Sequence, residues 1–309
     1  MSKVMNMVGG SAVKPVFLII KTPPIKTQYF VGESFSPEGM LLEAVYSNGK
    51  TVSVTDYTVY PSVALAMGTT EIEIKYTDKG TTVTAKIDIS VRRPYDATFA
   101  NNSWADIIEA CHTNDVPSTW VVGNYKNMMI GSTEYRIDII GKNHDTYSAG
   151  GTAPLTFQMH DSYIGGKTMN NTDTNVGGWR DSLMRTSHLP GFLALLPKEV
   201  SEGIRAVNKK TTLGGQSNSV VTTEDKLFLL SEIEIFGTIT YSKSGEGSRY
   251  AYYAAGNSAA KTTNGNVNVW WERSPYKLNN TDFCRVGGTG SPSYDEASSD
   301  PAVAFAFCF

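Results

Sequence analysis

Four histidines and three cysteines are the side chains best suited to nucleophilic, acid–base or metal chemistry, and none sits in a spacing that such chemistry uses. His112 and His188 stand alone, while "NHD" and "MHD" place His144 beside Asp145 and His160 beside Asp161. Neighbours on a strand project to opposite faces, so neither pair is a ready-made dyad or ligand set, and all four read as structural histidines. Cys111, Cys284 and Cys308 lack the close, paired spacings of a zinc site or a disulfide framework. They read as buried, reduced thiols. The glycines of "VGGTG" (286–290) have no strand-then-helix context for holding phosphate, and Asp295, Glu296 and Asp300 form no recognisable calcium loop. No catalytic residue, metal or cofactor is expected, and EDTA should leave the melting temperature unchanged.

A different chemistry is written into "WWERSPYKLNNTDFCRVGGTGSPSYDEASSDPAVAFAFCF", Trp270 to Phe309. Its two ends are aromatic and apolar. More than half of Tyr276 to Asp300 is Ser, Gly, Asn, Asp or Tyr, the mixture with which paratopes combine adaptable hydrogen bonds and rigid amphipathic contact. The final "AVAFAFCF" alternates, with Val303, Phe305, Phe307 and Phe309 on one face, and reads as a core strand. A polar segment is thus held between an aromatic anchor and a buried strand.

The chain that must position this segment has 309 residues, 40% hydrophobic and 18% charged, with a formal charge of −3. That suits two domains or one large one, and no cluster of Lys or Arg offers a surface for nucleic acid. The apolar run "VFLII" before Lys21 is too short for a signal-peptide core or a membrane span and reads as a first strand, after an N-terminal tail of residues 1–15. Neither membrane insertion nor nucleic-acid binding is expected.

From Val16 to Val91 the hydrophobic period is two. "EIEIKY" puts Ile72, Ile74 and Tyr76 on one face, and "VTAKIDISV" does the same for Val83, Ala85, Ile87, Ile89 and Val91. Asn48-Gly49 marks a hairpin between "MLLEAVY" and "KTVSV". Short strands with regular turns predict a β-sandwich over residues 16–92. "RRPYDATFANNS" lacks periodicity, so residues 93–102 read as a linker. A second domain, 103–309, then opens with a capping box at Ser103 and Asp106 and a helical stripe of Trp104, Ile107, Ile108 and Cys111. It continues through strands at "YRIDII" and "PLTFQMH" and a helical region over about Leu189 to Lys209, where Val200, Ile204 and Val207 share a face and Pro197 marks a break. "KLFLLSEIEIFG" starts as a strand and turns at Ser231 into a segment that fits either state. The mixture predicts an α+β domain.

Two resemblances follow from these residues. "IKTPPIKTQYFVGESFSPEGMLLEAVYSNGKTVSVTDYTV" resembles the bacterial immunoglobulin-like domains of surface proteins and phage tails, which serve as spacers or weak adhesion units. "TWVVGNYKNMMIGSTEYRIDIIGKNHD", "APLTFQMHDSY", "LFLLSEIEIFG", "WWERSP" and "FCRV…AVAFAFCF" resemble a domain family of unknown function from gut bacteria and their phages. Its members are often target proteins of diversity-generating retroelements, with a C-type-lectin fold related to formylglycine-generating enzymes.

The resemblance implies a buried framework of Trp270, Trp271, Arg273, Ser274, Pro275, Phe283, Cys284, Val286, Gly290, Ala297, Val303, Ala304, Phe305, Phe307 and Cys308. Between these it places ligand-contacting positions at Glu272, Tyr276, Lys277, Leu278, Asn279, Asn280, Asp282, Arg285, Gly287, Ser291, Ser293, Tyr294, Asp295, Ser298 and Asp300. Tyr276, Arg285 and Tyr294 are the expected hot spots, because aromatic and Arg side chains dominate interface energetics. "GGW" at 177–179 with Arg180, and "SEIE" at 231–234, look like fold hallmarks. Ala302 and Ala306 depart from the glycines usual there, each by one methyl group. Cys284 and Cys308 lie too far apart for the copper-holding cysteine pair of the related enzymes, so that activity is not implied.

The implied function is non-enzymatic recognition of a protein or glycan on a bacterial or other cell surface, by a tail-associated phage protein exposed outside the cell or by a bacterial surface protein. A structural or adhesive virion or cell-surface role without a dedicated ligand is the alternative. Homo-oligomerisation or attachment to a virion stays open under both.

Overall fold

The computed structural model describes residues 12–309, so most of the N-terminal tail lies outside the described residues. The chain divides into two compact units, Met1–Pro94 and Tyr95–Phe309.

In the first unit, β1 (Pro15–Thr22), β3 (Leu41–Tyr46) and β4 (Thr51–Val54) form one sheet. A second consists of β5 (Thr58–Tyr60), β6 (Glu71–Asp78) and β7 (Thr81–Asp88), and β2 (Gln28–Phe30) pairs in parallel with β8 (Ser90–Arg92). Alternation fixes what is inside. Ile72 and Ile74 are fully buried, Ile87, Ile89 and Val91 nearly so, while Tyr76, Val83 and Ala85 pack from the margin. The β3–β4 hairpin closes at Gly49, whose φ of +80° lies in the left-handed region that favours glycine.

The second unit starts earlier than the sequence predicts. Residues 95–102 are not a linker: they fold into a corner of the second core. Phe99 is buried and meets Trp120 edge-on at 5.2 Å, and the Trp120 indole donates to Asp96 O at 3.0 Å. The buried Asn102 amide donates to the carbonyls of Asp96, Thr98 and Phe99. Side-chain hydrogen bonds of this sort have no period, so the sequence pattern does not reveal them.

The helix α1 (Trp104–His112) carries the expected capping box from Ser103 and Asp106 and buries Trp104, Ile107 and Cys111. Ile108 is only partly buried. The strands β9 (Tyr125–Ile130), β10 (Thr133–Lys142) and β11 (Leu155–Met159) lead into the short helices α2 (Gly178–Asp181), α3 (Leu189–Leu193) and α4 (Lys198–Gly203). Of the helical region expected over Leu189 to Lys209, only these two separate pieces, α3 and α4, form. Pro197 sits at the start of the second, and Val207 already belongs to β12 (Val207–Thr212), which pairs with β13 (Val220–Asp225). β14 (Leu227–Phe228) is brief, and the apolar segment after it is α5 (Glu232–Phe236), capped by a Ser231/Glu234 box. Helix α6 (Ala251–Ala254) and a hairpin of β15 (Lys261–Thr263) and β16 (Asn266–Asn268) follow. Then come β17 (Trp270–Pro275), β18 (Asp282–Val286), β19 (Pro292–Glu296) and β20 (Ala306–Cys308). With the first unit built of strands and helices this short in the second, the chain is mostly β, and less helical than an α+β assignment suggests.

The last strand closes the core. β20 lies inside a five-stranded sheet ordered β14-β20-β11-β10-β9, with Phe307 opposite both Phe157 and Leu227. Strand geometry is confined to Ala306–Cys308, yet all of Val303–Phe309 is fully buried, so both faces of the alternating run are inside rather than one. Phe157 collects Phe99, Trp104, Phe307 and Phe309 around it at 5.3–6.1 Å. Each such ring contributes roughly 1.5–3 kcal/mol through burial.

Candidate functional site

The polar segment rests on the three-stranded sheet β17-β18-β19. Its register sets Trp271 against Arg285, Pro275 against Phe283, Cys284 against Tyr294 and Arg285 against Ser293. Trp270, Trp271, Arg273, Ser274, Phe283, Cys284, Val286 and Ala297 are fully buried. Gly290 is held differently: its φ is +80°, and a Cβ there would lie 2.7 Å from Ala260 N.

Above this frame the sheet presents a tyrosine cluster. Tyr276 and Tyr294 stack in parallel at 4.2 Å with 5° between their planes, and Tyr241 meets both edge-on at 5.8 and 5.0 Å. Tyr294 stays 40% exposed. Aromatic pairs in these geometries each add about 0.5–1.5 kcal/mol, enough to hold the rings in place before anything binds. Tyr241 lies outside the segment that the sequence singles out. It is anchored because Lys277 N donates to its carbonyl at 2.9 Å and its own N–H donates to the Glu232 carboxylate at 2.9 Å.

Around the cluster, Leu278 is 66% exposed, Asn280, Ser291, Ser298 and Asp300 are exposed, and Lys277, Asn279, Gly287, Ser293 and Asp295 are half-buried. Arg285 is partly committed. Its Nε donates to Tyr294 O at 3.0 Å and lies 3.4 Å from Asp295 Oδ2, which leaves the rest of the guanidinium for a partner.

Two expected contact residues are not on this face. Glu272 is fully buried, because its strand is covered on both sides. Asp282 is nearly buried and acts as the local clasp of the 276–282 turn, accepting from Asn279 Nδ2 at 2.8 Å and from Thr281 Oγ1 at 2.7 Å. A second clasp comes from far away in sequence. Buried Asn175 donates through Nδ2 to the carbonyls of Asp282 (2.7 Å), Asn279 (3.1 Å) and Tyr276 (3.3 Å) and accepts from Gly215 N at 2.7 Å. A lone Asn before a Gly-Gly pair gave no signal of this.

Beneath the tyrosines the core is charged. Arg273 pairs with both oxygens of Glu234 and donates to Glu246 O and Leu229 O, while Lys209 bridges Glu234 and Asp145 at 2.8 Å each. Burial pushes the Glu234 carboxyl up, but the Arg273 and Lys209 cations outweigh it and hold the group below the usual carboxylate range. Burial opposes ionisation of Asp145 too, and Lys209 brings it down to about 2. Glu232 accepts from Ser242 N and Oγ at 2.7 Å, and Glu246 accepts from Thr212 N and Oγ1 at 2.8 Å. Glu272 differs from these: neither oxygen has a hydrogen-bond partner, and burial, reinforced by the neighbouring Glu232 and Glu246, raises its pKa well above the ordinary value. Burial thus favours its neutral form.

The histidines acquire partners that sequence adjacency hides. His160 Nδ1 lies 2.6 Å from Asp138 Oδ2, across the β10–β11 pair rather than beside Asp161, and Arg136 Nε donates to the same carboxylate at 2.7 Å. His144 stacks on Tyr250 at 4.0 Å, and His112 Nε2 lies 2.8 Å from Gly203 O. Among the described residues no hydroxyl or thiol is hydrogen-bonded to the His160 ring, and no group of three or more His, Cys, Asp or Glu side chains is arranged around a common metal position. The three thiols are buried and unpaired, and burial pushes Cys111 up to about 12.

Comparison with known families assigns both units. Residues 22–91 match the bacterial Ig-like domain (group 3), and residues 156–307 match a domain of unknown function, DUF6273. The chain is a bacterial Ig-like domain followed by a DUF6273 domain. No curated protein matches it. The DUF6273 match takes in the whole β17-β18-β19 sheet, the tyrosine cluster and its charged support apart from Asp145, and begins one residue into β11.

Proposed function

We propose that the DUF6273 domain is a non-enzymatic recognition module with a C-type-lectin fold, related to that of formylglycine-generating enzymes, whose surface over residues 276–300 binds a protein or glycan on a bacterial cell. The observation that carries this reading is the Tyr241/Tyr276/Tyr294 cluster. Rigid aromatic rings half-open to solvent lose little entropy on binding, and they stand on a fully buried frame that tolerates change in the polar positions between. Insertion of the final strand beside β11 supports the lectin-like reading, since it joins the two ends of the domain in one sheet.

The segment would be the target of a diversity-generating retroelement, the protein would belong to a phage tail or a bacterial surface, and the Ig-like domain would act as spacer or attachment unit. Two experiments test this. Deep sequencing of the gene across a natural population should find substitutions concentrated between residues 276 and 300 and absent from the buried frame. Binding of labelled full-length chain to bacterial cells should drop at least about ten-fold in a Tyr276→Ser/Tyr294→Ser variant. Undiminished binding by a folded variant would transfer the function to a purely structural or adhesive role.

A further inference from the structure

A second site lies away from the tyrosine face. The end of α1, the 143–154 loop and the turn after α4 border an open cavity of about 520 Å³, within the size range of small-ligand pockets, with exposed polar side chains at its rim. No residue of the 270–309 segment and no carboxylate lines it. The guanidinium of Arg205 stands at the cavity, exposed and without an ion-pair partner among the described residues. It is not loose. Its backbone N–H is fixed to Cys308 O at 3.0 Å, and its guanidinium lies over the ring of Tyr147 at 5.5 Å. That ring is locked in turn by the phenol donating to Phe309 O. The Tyr147 phenol also engages the guanidinium, which orients it and leaves its other N–H groups for bidentate capture of a planar carboxylate.

Of the remaining polar groups, His112 is committed to Gly203 O at 2.8 Å, and the others are uncharged. Asn114, Asn143 and Thr152 line the same cavity, and among the described residues none of their side-chain polar atoms is taken by a protein partner. Two amides and a hydroxyl can both donate and accept, which matches sugar hydroxyls rather than a second charge. Pro154 and the Tyr147 ring under Arg205 supply apolar lining.

We propose that this cavity binds an acidic sugar residue, its carboxylate on Arg205 and its hydroxyls on Asn114, Asn143 and Thr152. This site is separate from the recognition face, so either assignment can fail while the other stands.

The test is calorimetric titration of the full chain with glucuronate and N-acetylneuraminate, against glucose, acetate and phosphate. At least one acidic sugar should bind, with affinity reduced at least about ten-fold by Arg205→Gln, whose exposed side chain leaves the melting temperature in place. Asn114 and Asn143 have φ of +55° and +51°, so Asn114→Gly and Asn143→Gly keep the backbone and remove only the amides. They should weaken the sugar and leave acetate unaffected. Glucose binding as well as glucuronate would overturn the carboxylate assignment. Acetate or phosphate matching the sugars would reduce the site to a general anion pocket and overturn the sugar assignment. No heat from any acidic sugar at 10-mM-scale concentrations, on the order of the weakest useful recognition, would remove the site altogether.

Discussion

The two units solve the same problem, closing a β-rich core, with opposite materials. The Ig-like unit buries Leu18, Leu42, Ile72, Ile74 and their neighbours and, among the described residues, no charged side chain as a whole, keeping ion pairs such as Lys86–Glu71 at the surface. The DUF6273 unit buries Asp145, Lys209, Glu234, Glu246, Glu272 and Arg273 inside its aromatic shell. An apolar core is non-directional and tolerates repacking, whereas a charged one is satisfied only when every partner is in place. The second arrangement therefore suits a domain whose surface segment must be held in one register while its exposed residues vary. Arg273 illustrates the point: the side chain of a β17 residue fixes α5 through Glu234 and the 246–247 turn through Glu246 O.

The largest expected effect strikes this contrast directly. Arg273→Met keeps most of the volume but leaves Glu234 facing one cation instead of two, and breaking a buried pair costs about 3–5 kcal/mol. A DUF6273 unit that melts within about 1 kcal/mol of wild type, the range of an exposed pair, would show that the buried charges are incidental. Ile72→Ala in the Ig-like unit should cost a comparable roughly 2–5 kcal/mol by an unrelated route, the cavity it leaves. Two transitions in a thermal melt should therefore respond separately, the upper or lower one according to which unit carries the change.

The same contrast explains what the sequence discloses. Ile72, Ile74 and the Asn48-Gly49 turn are visible because alternation and positive φ are local properties. The frame from Trp270 to Cys308 is what the family resemblance implies, and the aromatic start and apolar finish of the segment agree with it. Asn102, Asn175 and Tyr241 are not visible, because their roles depend on carbonyls and rings brought close only by the fold. Glu272 misleads for the same reason: a Glu between Trp271 and Arg273 reads as a surface residue, and only the covered strand shows it inside. The predicted linker failed through side-chain hydrogen bonds from Asn102 and Asp96 that carry no periodicity.

A smaller effect of opposite sign comes from Glu272. Its folded pKa is raised by burial, with Glu232 and Glu246 adding to it and Arg273 opposing, so its contribution to stability is fully present below the unfolded value of about 4.3. As pH rises toward the folded pKa that contribution is lost. Glu272→Gln removes the titration, so the variant should match wild type near pH 4. Above that it should gain stability, by at least about 1.4 kcal/mol once the difference spans one pKa unit. Melting curves from pH 4 to 9 check this. A variant equally destabilised at every pH would mean that the carboxyl has a partner and that its titration does not govern stability.

The smallest effects belong on the display face, and there they separate stability from recognition. Asn280 and Ser291 are exposed and their side chains clasp no buried group, so Asn280→Ser and Ser291→Asn should shift unfolding by about 0.5 kcal/mol or less. Tyr294→Ser should cost somewhat more, about 0.5–1.5 kcal/mol for each ring contact it loses, because Tyr276 and Tyr241 both rest on that ring. Asn175→Ala should exceed both, since it takes the donor from the half-buried carbonyls of Tyr276 and Asn279, at about 1–3 kcal/mol for the unsatisfied groups, while Asp282 O keeps Tyr276 N at 3.0 Å. That order, with the remote buried clasp above the exposed ring and the ring above the loop residues, is what a rigid frame with a variable face requires. Denaturant melts on the four variants would expose the reverse case: a Ser291 or Asn280 change as costly as Asn175→Ala would make the 276–300 segment part of the core, with no surface left to diversify.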